Sequence, residues 1–176
     1  MPWNHPCTNN RRRLRRLFAF GMGLAVLGFS DSPAGASIAT NTFTATITVQ
    51  ASCLVVSTNT LNFGTQSTLA ANTDASATFD VQCTNTTPYN VGLNAGTTAG
   101  GTVTTRLMTS GSATVSYKMY SNAARTTNWG NTVGSDTLSG TGSGSSQSLT
   151  VYGQVPVQAT PAPATYNDTV TLTITY

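Results

Sequence analysis

The amino-acid sequence predicts an all-β protein whose domain is an antiparallel β-sandwich of immunoglobulin-like type. In several short segments apolar and polar residues alternate with a period of two, which is typical of strands that bury one face. Threonine, serine, asparagine, glycine and alanine dominate the composition, which favours strands and turns and disfavours helices. Loops rich in turn-forming residues separate about seven of these segments, as expected for a sandwich.

Residues 1–36 have the organisation of a secretory signal peptide. Arginines at positions 11–13, 15 and 16 precede an apolar run from Leu17 to Phe29, and Ala34-Gly35-Ala36 is an A-x-A cleavage site. The alternative is a single membrane anchor, which would need about 20 apolar residues. We therefore predict export by the general secretory route, cleavage after Ala36, and no stable membrane insertion after cleavage.

Without that segment the chain carries few charges. Three basic residues remain against four aspartates, a net charge of −1, so the basic isoelectric point belongs to the predicted signal and no nucleic-acid partner is expected. From residue 37 onward there is no histidine, no glutamate and no glycine-rich phosphate loop. We therefore predict that the protein is not an enzyme and has no catalytic residue, metal site or cofactor. Turn chemistry or an outward-facing strand position explains the four carboxylates, Asp74, Asp80, Asp136 and Asp168.

Cys53 and Cys83 are the two cysteines that remain after the predicted cleavage, since Cys7 lies in the signal. An exported chain meets an oxidising compartment, where two cysteines allow one intramolecular pairing. We predict a structural disulfide that joins the strand ending at Cys83 to the strand beginning at Cys53. Closing this loop stabilises the fold by about 3–4 kcal/mol on the chain-entropy model.

Alternation places the strands along the chain, and turn-forming residues end them. The expected strands are residues 42–50, short extended pieces within 53–64, then 77–84, 89–93, 103–108, 113–119, 149–155 and 170–176. The pattern is least regular in 103–108. The expected loops are the polar stretches 65–76, 94–101, 121–148 and 156–163.

Trp129 lies in the longest of these loops and has two interpretations. An exposed indole could stack on a sugar ring, whereas a buried one would cap one end of the sandwich core. We favour the core position, because a large aromatic side chain contributes most where it is buried.

The two ends of the predicted domain carry the most informative pattern. The segment 42–50 presents an apolar face formed by Phe43, Ala45, Ile47 and Val49. Two residues separate this segment from Cys53, and two residues span at most about 7 Å. The segment could fold back as a hairpin onto the strand that begins at Cys53, but it could not cross the sandwich to pair beside the last strand. If the sandwich lacks its final strand, another molecule has to supply it.

Five features in order are similar to those of one protein family. They are the alternating N-terminal strand before Cys53, the run Leu61-Asn62-Phe63-Gly64, Cys83 at a strand end, the segment Tyr120…Arg125-Thr126-Thr127…Trp129-Gly130, and the terminal strand from Tyr166-Asn167-Asp168 to Tyr176. Over essentially all of residues 37–176 the chain resembles the spore coat protein U family, the secreted pilus subunits of the archaic chaperone–usher pathway.

The resemblance implies an incomplete Ig-like antiparallel β-sandwich that is completed by donor-strand exchange. Residues 37–52 would be the donor extension and residues 53–176 the pilin domain. The implied donor residues are Phe43, Ala45, Ile47 and Val49. The implied acceptor groove and chaperone contact includes Val170, Leu172, Ile174 and Tyr176. The mechanism would be β-strand addition, in which backbone hydrogen bonds supply affinity and alternate side-chain pockets set the register.

The implied function is that of a pilus subunit for surface attachment and biofilm formation. Its partners would be neighbouring subunits of the same or another kind, a periplasmic chaperone and an outer-membrane usher. The chain would pass through the periplasm to the cell surface. Two alternatives remain open: a spore or cyst coat protein that uses the same strand exchange, and a self-complete secreted module that binds carbohydrate or protein through its loops.

Overall fold

The computed structural model describes residues 35–176. These residues belong to two compact units, one ending at Ala45 and the other beginning at Thr46. The predicted signal peptide lies outside the described residues except for its last two positions. In the first unit, residues 35–45 are exposed and form no regular secondary structure. The second unit, residues 46–176, holds the folded domain. Within residues 35–176 no helix has the length and apolar character needed to span a bilayer.

Strands build the second unit, and residues 35–176 contain no helix. The strands are β1 (Cys53–Thr58), β2 (Thr73–Cys83), β3 (Pro88–Leu93), β4 (Arg106–Ser110), β5 (Ala113–Tyr120), β6 (Leu138–Thr141), β7 (Ser146–Val155) and β8 (Leu172–Thr175). Every pairing between them is antiparallel.

Two sheets form the sandwich, and their strand orders correspond to the immunoglobulin arrangement with one strand missing and two edge strands added, β4 and β6. The larger sheet has the order β1-β2-β7-β5-β4 and the smaller one β6-β3-β8. An immunoglobulin constant-type domain has strands ABED in one sheet and CFG in the other. Strands β1, β2, β7 and β5 take the places of A, B, E and D, and β3 and β8 take those of C and F. Within the described residues no strand takes the place of G beside β8. The predicted fold class is confirmed.

The core lies between the sheets and is built from the inward residues of the alternating strands. In β2 these are Ala77, Phe79, Val81 and Cys83, and β3, β5 and β7 contribute their own alternate residues. Trp129 is fully buried, packs against Phe79 at 5.6 Å between ring centroids, and donates its indole N–H to the Val91 carbonyl at 2.8 Å. The core interpretation of Trp129 is therefore correct, and the sugar-stacking alternative is wrong.

Several strand predictions differ from the structure. Strand β4 spans Arg106–Ser110 instead of residues 103–108, and β7 begins at Ser146, inside the predicted loop 121–148. Strand β2 begins at Thr73, inside the predicted loop 65–76, because its first residues pair with the end of β7 as far as Thr73 opposite Val155. Strand β6 lies in the predicted loop 121–148, since its four residues are too few to show alternation. Residues 42–50 form no strand in the structure.

Arg106 is a buried charge that the sequence pattern did not reveal. It is fully buried, and its guanidinium donates to the carbonyl oxygens of Leu93, Asn94, Val103 and Trp129 at 2.7–2.8 Å. Burial lowers the pKa of Arg106, and the nearby charges of Asp168 and Asp136 counteract that effect. The arginine therefore ties the end of β3 to the Trp129 loop at the base of the smaller sheet.

Candidate functional site: a cleft between two unpaired strand edges

Strand β8 has one paired edge and one open edge. The Asn94 N–H donates to the Thr171 carbonyl at 3.1 Å, which fixes the phase of the β3–β8 ladder. In an antiparallel ladder alternate residues direct their backbone groups to the same neighbour. Thr173 and Thr175 therefore bond to β3, while Leu172 and Ile174 direct their N–H and C=O groups to the open side.

Strand β1 has a similar open edge in the other sheet. The Thr84 N–H donates to the Ser52 carbonyl at 2.9 Å, so Cys53 and Val55 direct their backbone groups away from β2. The side chain of Val55 stands opposite Val81, which is fully buried, and it shares the inward face with it. Val55 nevertheless remains 40% exposed. The inward face of β1 therefore lacks the cover that its partner strand has.

A cleft opens between the end of β1 and β8 and reaches the core. It has a volume of about 350 Å³. Its floor is formed by inward side chains of both sheets, namely Phe79, Met119, Val151 and Leu93. It continues into a wider cleft of about 710 Å³ between residues 60–67 and 160–167, with Val115 and Val155 at its base. The two clefts share Leu61, Phe63, Met108 and Tyr166 in their lining and together form one groove, which Val170 and Leu172 border.

Asp168 fixes the chain at the rim of this groove, just before β8. Its carboxylate accepts hydrogen bonds from the Thr97, Thr98 and Thr169 N–H groups at 2.9, 3.2 and 2.9 Å, and from the Tyr117 hydroxyl at 2.7 Å. Burial alone would raise the pKa of Asp168, but these hydrogen bonds outweigh it and hold the pKa below its ordinary value. Burial and the bond to Asp168 raise the pKa of Tyr117 far above its ordinary value. The expectation of local turn chemistry was too narrow, because Asp168 joins three separate segments.

Four residues were predicted to form the acceptor groove, and the structure places them in different environments. Val170 and Leu172 line the cleft, and Ile174 is half-buried against the core. Tyr176 is 59% exposed and lines neither cleft.

The groove also has lining residues that alternation did not select. Leu61, Phe63, Met108 and Tyr166 line both parts of it and pack against the core. The side chains of Leu61 and Phe63 pack over Gly153, and a side chain at that strand position would have to displace their ends. The signal that could have found two of these residues is the run Leu61-Asn62-Phe63-Gly64, which was noted only as a family feature.

The predicted donor residues are exposed in the structure. Phe43, Ile47 and Val49 are 92%, 87% and 72% exposed, and Ala45 is exposed as well. Three exposed large apolar side chains within nine residues are unusual for a segment without regular structure. Their alternation provides an apolar face as soon as the segment pairs with an edge.

Cys53 and Cys83 form a disulfide, as predicted. The bridge lies in the directly opposed pair at the start of β1 and the end of β2. It therefore fixes the first residue of the domain, to which residues 46–52 are attached. Within residues 35–176 no group of three or more histidine, cysteine or acidic side chains is placed to hold a metal ion.

These features define a class of protein: an immunoglobulin-like domain with an open strand edge, a groove bordered by the residues at the start of that strand, and an alternating segment that forms no strand. The chain belongs to the Spore Coat Protein U domain family, whose model matches residues 39–173. It is 36% identical over 160 residues to Protein U of Myxococcus xanthus, covering 82% of this chain and 89% of that protein.

A solved structure is also similar to this chain. The chain is similar to one chain of the CsuC-CsuE chaperone–tip adhesion subunit pre-assembly complex from the archaic chaperone-usher Csu pili of Acinetobacter baumannii, with a TM-score of 0.53 and 27% identity. The similarity covers 73% of this chain and 40% of that one, so this chain matches less than half of the neighbour's length. Together these relationships assign a structural, non-enzymatic role, as a chaperone–usher pilus subunit or a spore-coat-like protein.

Proposed function

We propose that this protein is a secreted pilus subunit that polymerises by donor-strand exchange. The segment 42–50 of one copy adds as a strand to the open edge of β8 in the next copy, with Phe43, Ala45, Ile47 and Val49 facing the groove. The observation that carries the proposal is the pairing of two incomplete features in one chain. One is a groove with apolar side chains on its floor beside the start of β8, and the other is an exposed alternating segment that forms no strand.

The groove supports this occupant better than an open surface would. Leu172 and Ile174 offer unpaired backbone groups on the open edge of β8, so an added strand gains hydrogen bonds as well as burial. Nine residues of extended strand span about 30 Å, which suits a long groove and not a compact ligand pocket. Register follows from the alternation, because a shift by one residue would turn the threonine side chains of the donor into the groove.

A periplasmic chaperone is proposed as the first occupant of the groove, and an outer-membrane usher as the site where the next subunit replaces it. The solved neighbour comes from a chaperone–subunit pre-assembly complex, which supports the chaperone step. Export through the periplasm to a surface fimbria, with attachment and biofilm formation as its use, completes the proposal.

A coat role is the second candidate, and the relationship to Protein U of Myxococcus xanthus favours it. The same strand exchange would then build a layer and not a fibre. Electron microscopy of the exported assembly distinguishes the two, because a pilus gives thin filaments and a coat gives a continuous shell.

The proposal is tested by two matched substitutions on opposite faces of the donor segment. Ile47→Asp loses about 1.5–3 kcal/mol of burial and adds several kcal/mol for a charge in an apolar groove. A total of at least about 4 kcal/mol weakens donor binding about a thousandfold. Thr46→Asp places the same charge on the solvent face and should cost little.

The measurement is polymer length after export, by electron microscopy and by gel electrophoresis without boiling. The Ile47→Asp chain should be exported but should not extend polymers, while the Thr46→Asp chain should assemble normally. Equal polymerisation by both chains would contradict strand donation by residues 42–50.

A further inference from the structure

The residues that connect the donor segment to the domain are held by one residue, Thr84, through its backbone N–H and its hydroxyl. Its N–H donates to the Ser52 carbonyl at 2.9 Å, and its hydroxyl oxygen accepts the Ser52 N–H at 3.1 Å. The same hydroxyl lies 3.2 Å from the Gln50 carbonyl and 3.3 Å from the Ser52 carbonyl. Residues 50–52 are therefore fixed as an extension of β1 along the end of β2.

Thr84 is itself held firmly. It opens the turn between β2 and β3, where its carbonyl accepts the Thr87 N–H at 3.1 Å and Thr86 adopts a left-handed conformation with φ of 64°. Gly142 packs so closely on the Thr84 carbonyl that a side chain there would collide with it. The anchor of residues 50–52 is thus part of the rigid domain and not of a mobile loop.

The donor segment has one simple route back to its own domain, a hairpin along the open edge of β1. A two-residue loop at Ala51-Ser52 would pair Gln50 with Cys53 and Thr48 with Val55. Because directly opposed residues share a face, this register turns the threonine face inward and the apolar face outward. The loop also lacks the Gly or Asn that such turns require.

A loop of three residues would reverse which face of the donor segment points inward. With Gln50 to Ser52 in the loop, Val49 would stand opposite Cys53 and Ile47 opposite Val55, so the apolar face would point inward. This is the hairpin that would let a chain cover its own open edge. It needs residues 50–52 to turn, and these are the residues that Thr84 holds extended.

We propose that Thr84 is a positioning residue that prevents the donor segment from pairing with its own domain, so that strand donation takes place between chains. The inference rests on the proposed function and adds a determinant of its specificity. It assigns a role to a hydroxyl that lines no part of the groove.

The test compares three variants of the chain from residue 37 to 176, refolded at submicromolar concentration, where pairing between chains is slow. Thr84→Val removes the hydroxyl at nearly constant shape, Thr84→Ser keeps it, and Thr114→Val removes a hydroxyl from an exposed position of β5. Hydrogen–deuterium exchange of residues 42–50 in the monomer reports self-pairing. The samples are then concentrated, and polymer yield is measured by size-exclusion chromatography.

Thr84→Val should raise the equilibrium constant for self-pairing by roughly threefold to tenfold, the change that one hydrogen bond produces, and should slow exchange in residues 42–50. Its polymer yield should fall as the self-paired form becomes more populated. Thr84→Ser and Thr114→Val should behave like the unmodified chain. Exchange that is equally fast in Thr84→Val and in the unmodified chain would overturn the inference.

Failure of the inference and failure of the proposed function give different results. If the unmodified chain polymerises and Thr84→Val leaves exchange unchanged, the role of Thr84 is wrong and donation between chains stands. If the unmodified chain stays monomeric at high concentration while Thr84→Val gains protection, the role of Thr84 stands and polymerisation by donation is wrong.

Discussion

Replacing Asp168 with asparagine perturbs the rim of the groove without changing its shape. The carboxylate joins the chain before β8 to the β3–β4 loop and to Tyr117 on β5. It lies against Gly96, where any side chain would collide with it and where φ is +85°. Asparagine keeps one oxygen that can accept from the Thr97, Thr98 and Thr169 N–H groups, now as neutral hydrogen bonds. Its amide nitrogen replaces the oxygen that accepts the Tyr117 hydroxyl, so that hydrogen bond is lost.

The expected loss of stability follows from the number of bonds that lose their charge. Hydrogen bonds to a charged group contribute about 1.5–3 kcal/mol each and neutral ones about 0.5–1.5 kcal/mol. Asp168 accepts four such bonds at 2.7–3.2 Å, but it is only half-buried and solvent screens part of the difference. We expect Asp168→Asn to cost about 2 kcal/mol, a drop in melting temperature of roughly 5–8 °C for a domain of this size.

The effect should depend on pH in one direction. The pKa of Asp168 is lower in the folded chain than its ordinary value of 3.8. The stabilisation is therefore present above pH 3.8 and is lost as the pH falls through the lower, folded value. The gap in melting temperature between the unmodified chain and Asp168→Asn should be full at neutral pH and should shrink below about pH 4.

The assay is thermal unfolding of the exported chain, followed by near-ultraviolet circular dichroism between pH 2 and 7. Asp80→Asn is the matched control, because Asp80 is also half-buried but accepts a single side-chain bond, from the Ser57 hydroxyl, on the outward face of β2. That variant should change stability by less than about 0.5 kcal/mol. Equal melting temperatures for the two variants, or a gap for Asp168→Asn that does not change with pH, would refute this account of the rim.

Three further predictions concern the fold and export. Arg106→Met leaves four carbonyl oxygens without their donor and should cost about 3–5 kcal/mol in urea unfolding; a loss below about 1 kcal/mol would contradict the buried network. Replacing both Cys53 and Cys83 with serine opens a loop with a sequence separation of 30 and should cost about 3–4 kcal/mol, whereas unchanged stability would show that the bridge adds nothing. N-terminal sequencing of exported protein should begin at Ser37, and an intact Met1 would contradict cleavage after Ala36.

Alternation predicted most of the strands because their inward faces are continuous. The pattern Ala77, Phe79, Val81 and Cys83 corresponds to the buried residues of β2, and the same holds for the apolar positions of β5 and β7. The sequence did not predict β6, because alternation cannot be recognised in four residues within a stretch rich in glycine and serine. Strand limits depend on partners, so pairing with β7 extends β2 to Thr73.

The parts of the site that were missed depend on contacts between distant residues. Arg106 donates to backbone carbonyls, which every residue has, so no sequence pattern predicts its partners. Asp168 finds Thr97 and Tyr117 across the fold for the same reason. The donor segment shows the converse: its alternation is complete in the sequence, but a strand also needs a paired edge, and residues 42–50 form no strand in the structure.

The central claim is that the open edge of β8 accepts residues 42–50, and amide exchange at that edge tests it most directly. Exchange is measured on the monomeric chain before and after addition of a peptide that copies Thr42 to Gln50. The N–H groups of Leu172 and Ile174 point to the open side, whereas the Thr173 N–H is already bonded to β3 and serves as an internal reference. We predict fast exchange at Leu172 and Ile174 without the peptide and strong slowing with it, while exchange at Thr173 changes little. Exchange at Leu172 and Ile174 that is already slow without the peptide, or that stays fast with it, would contradict the claim.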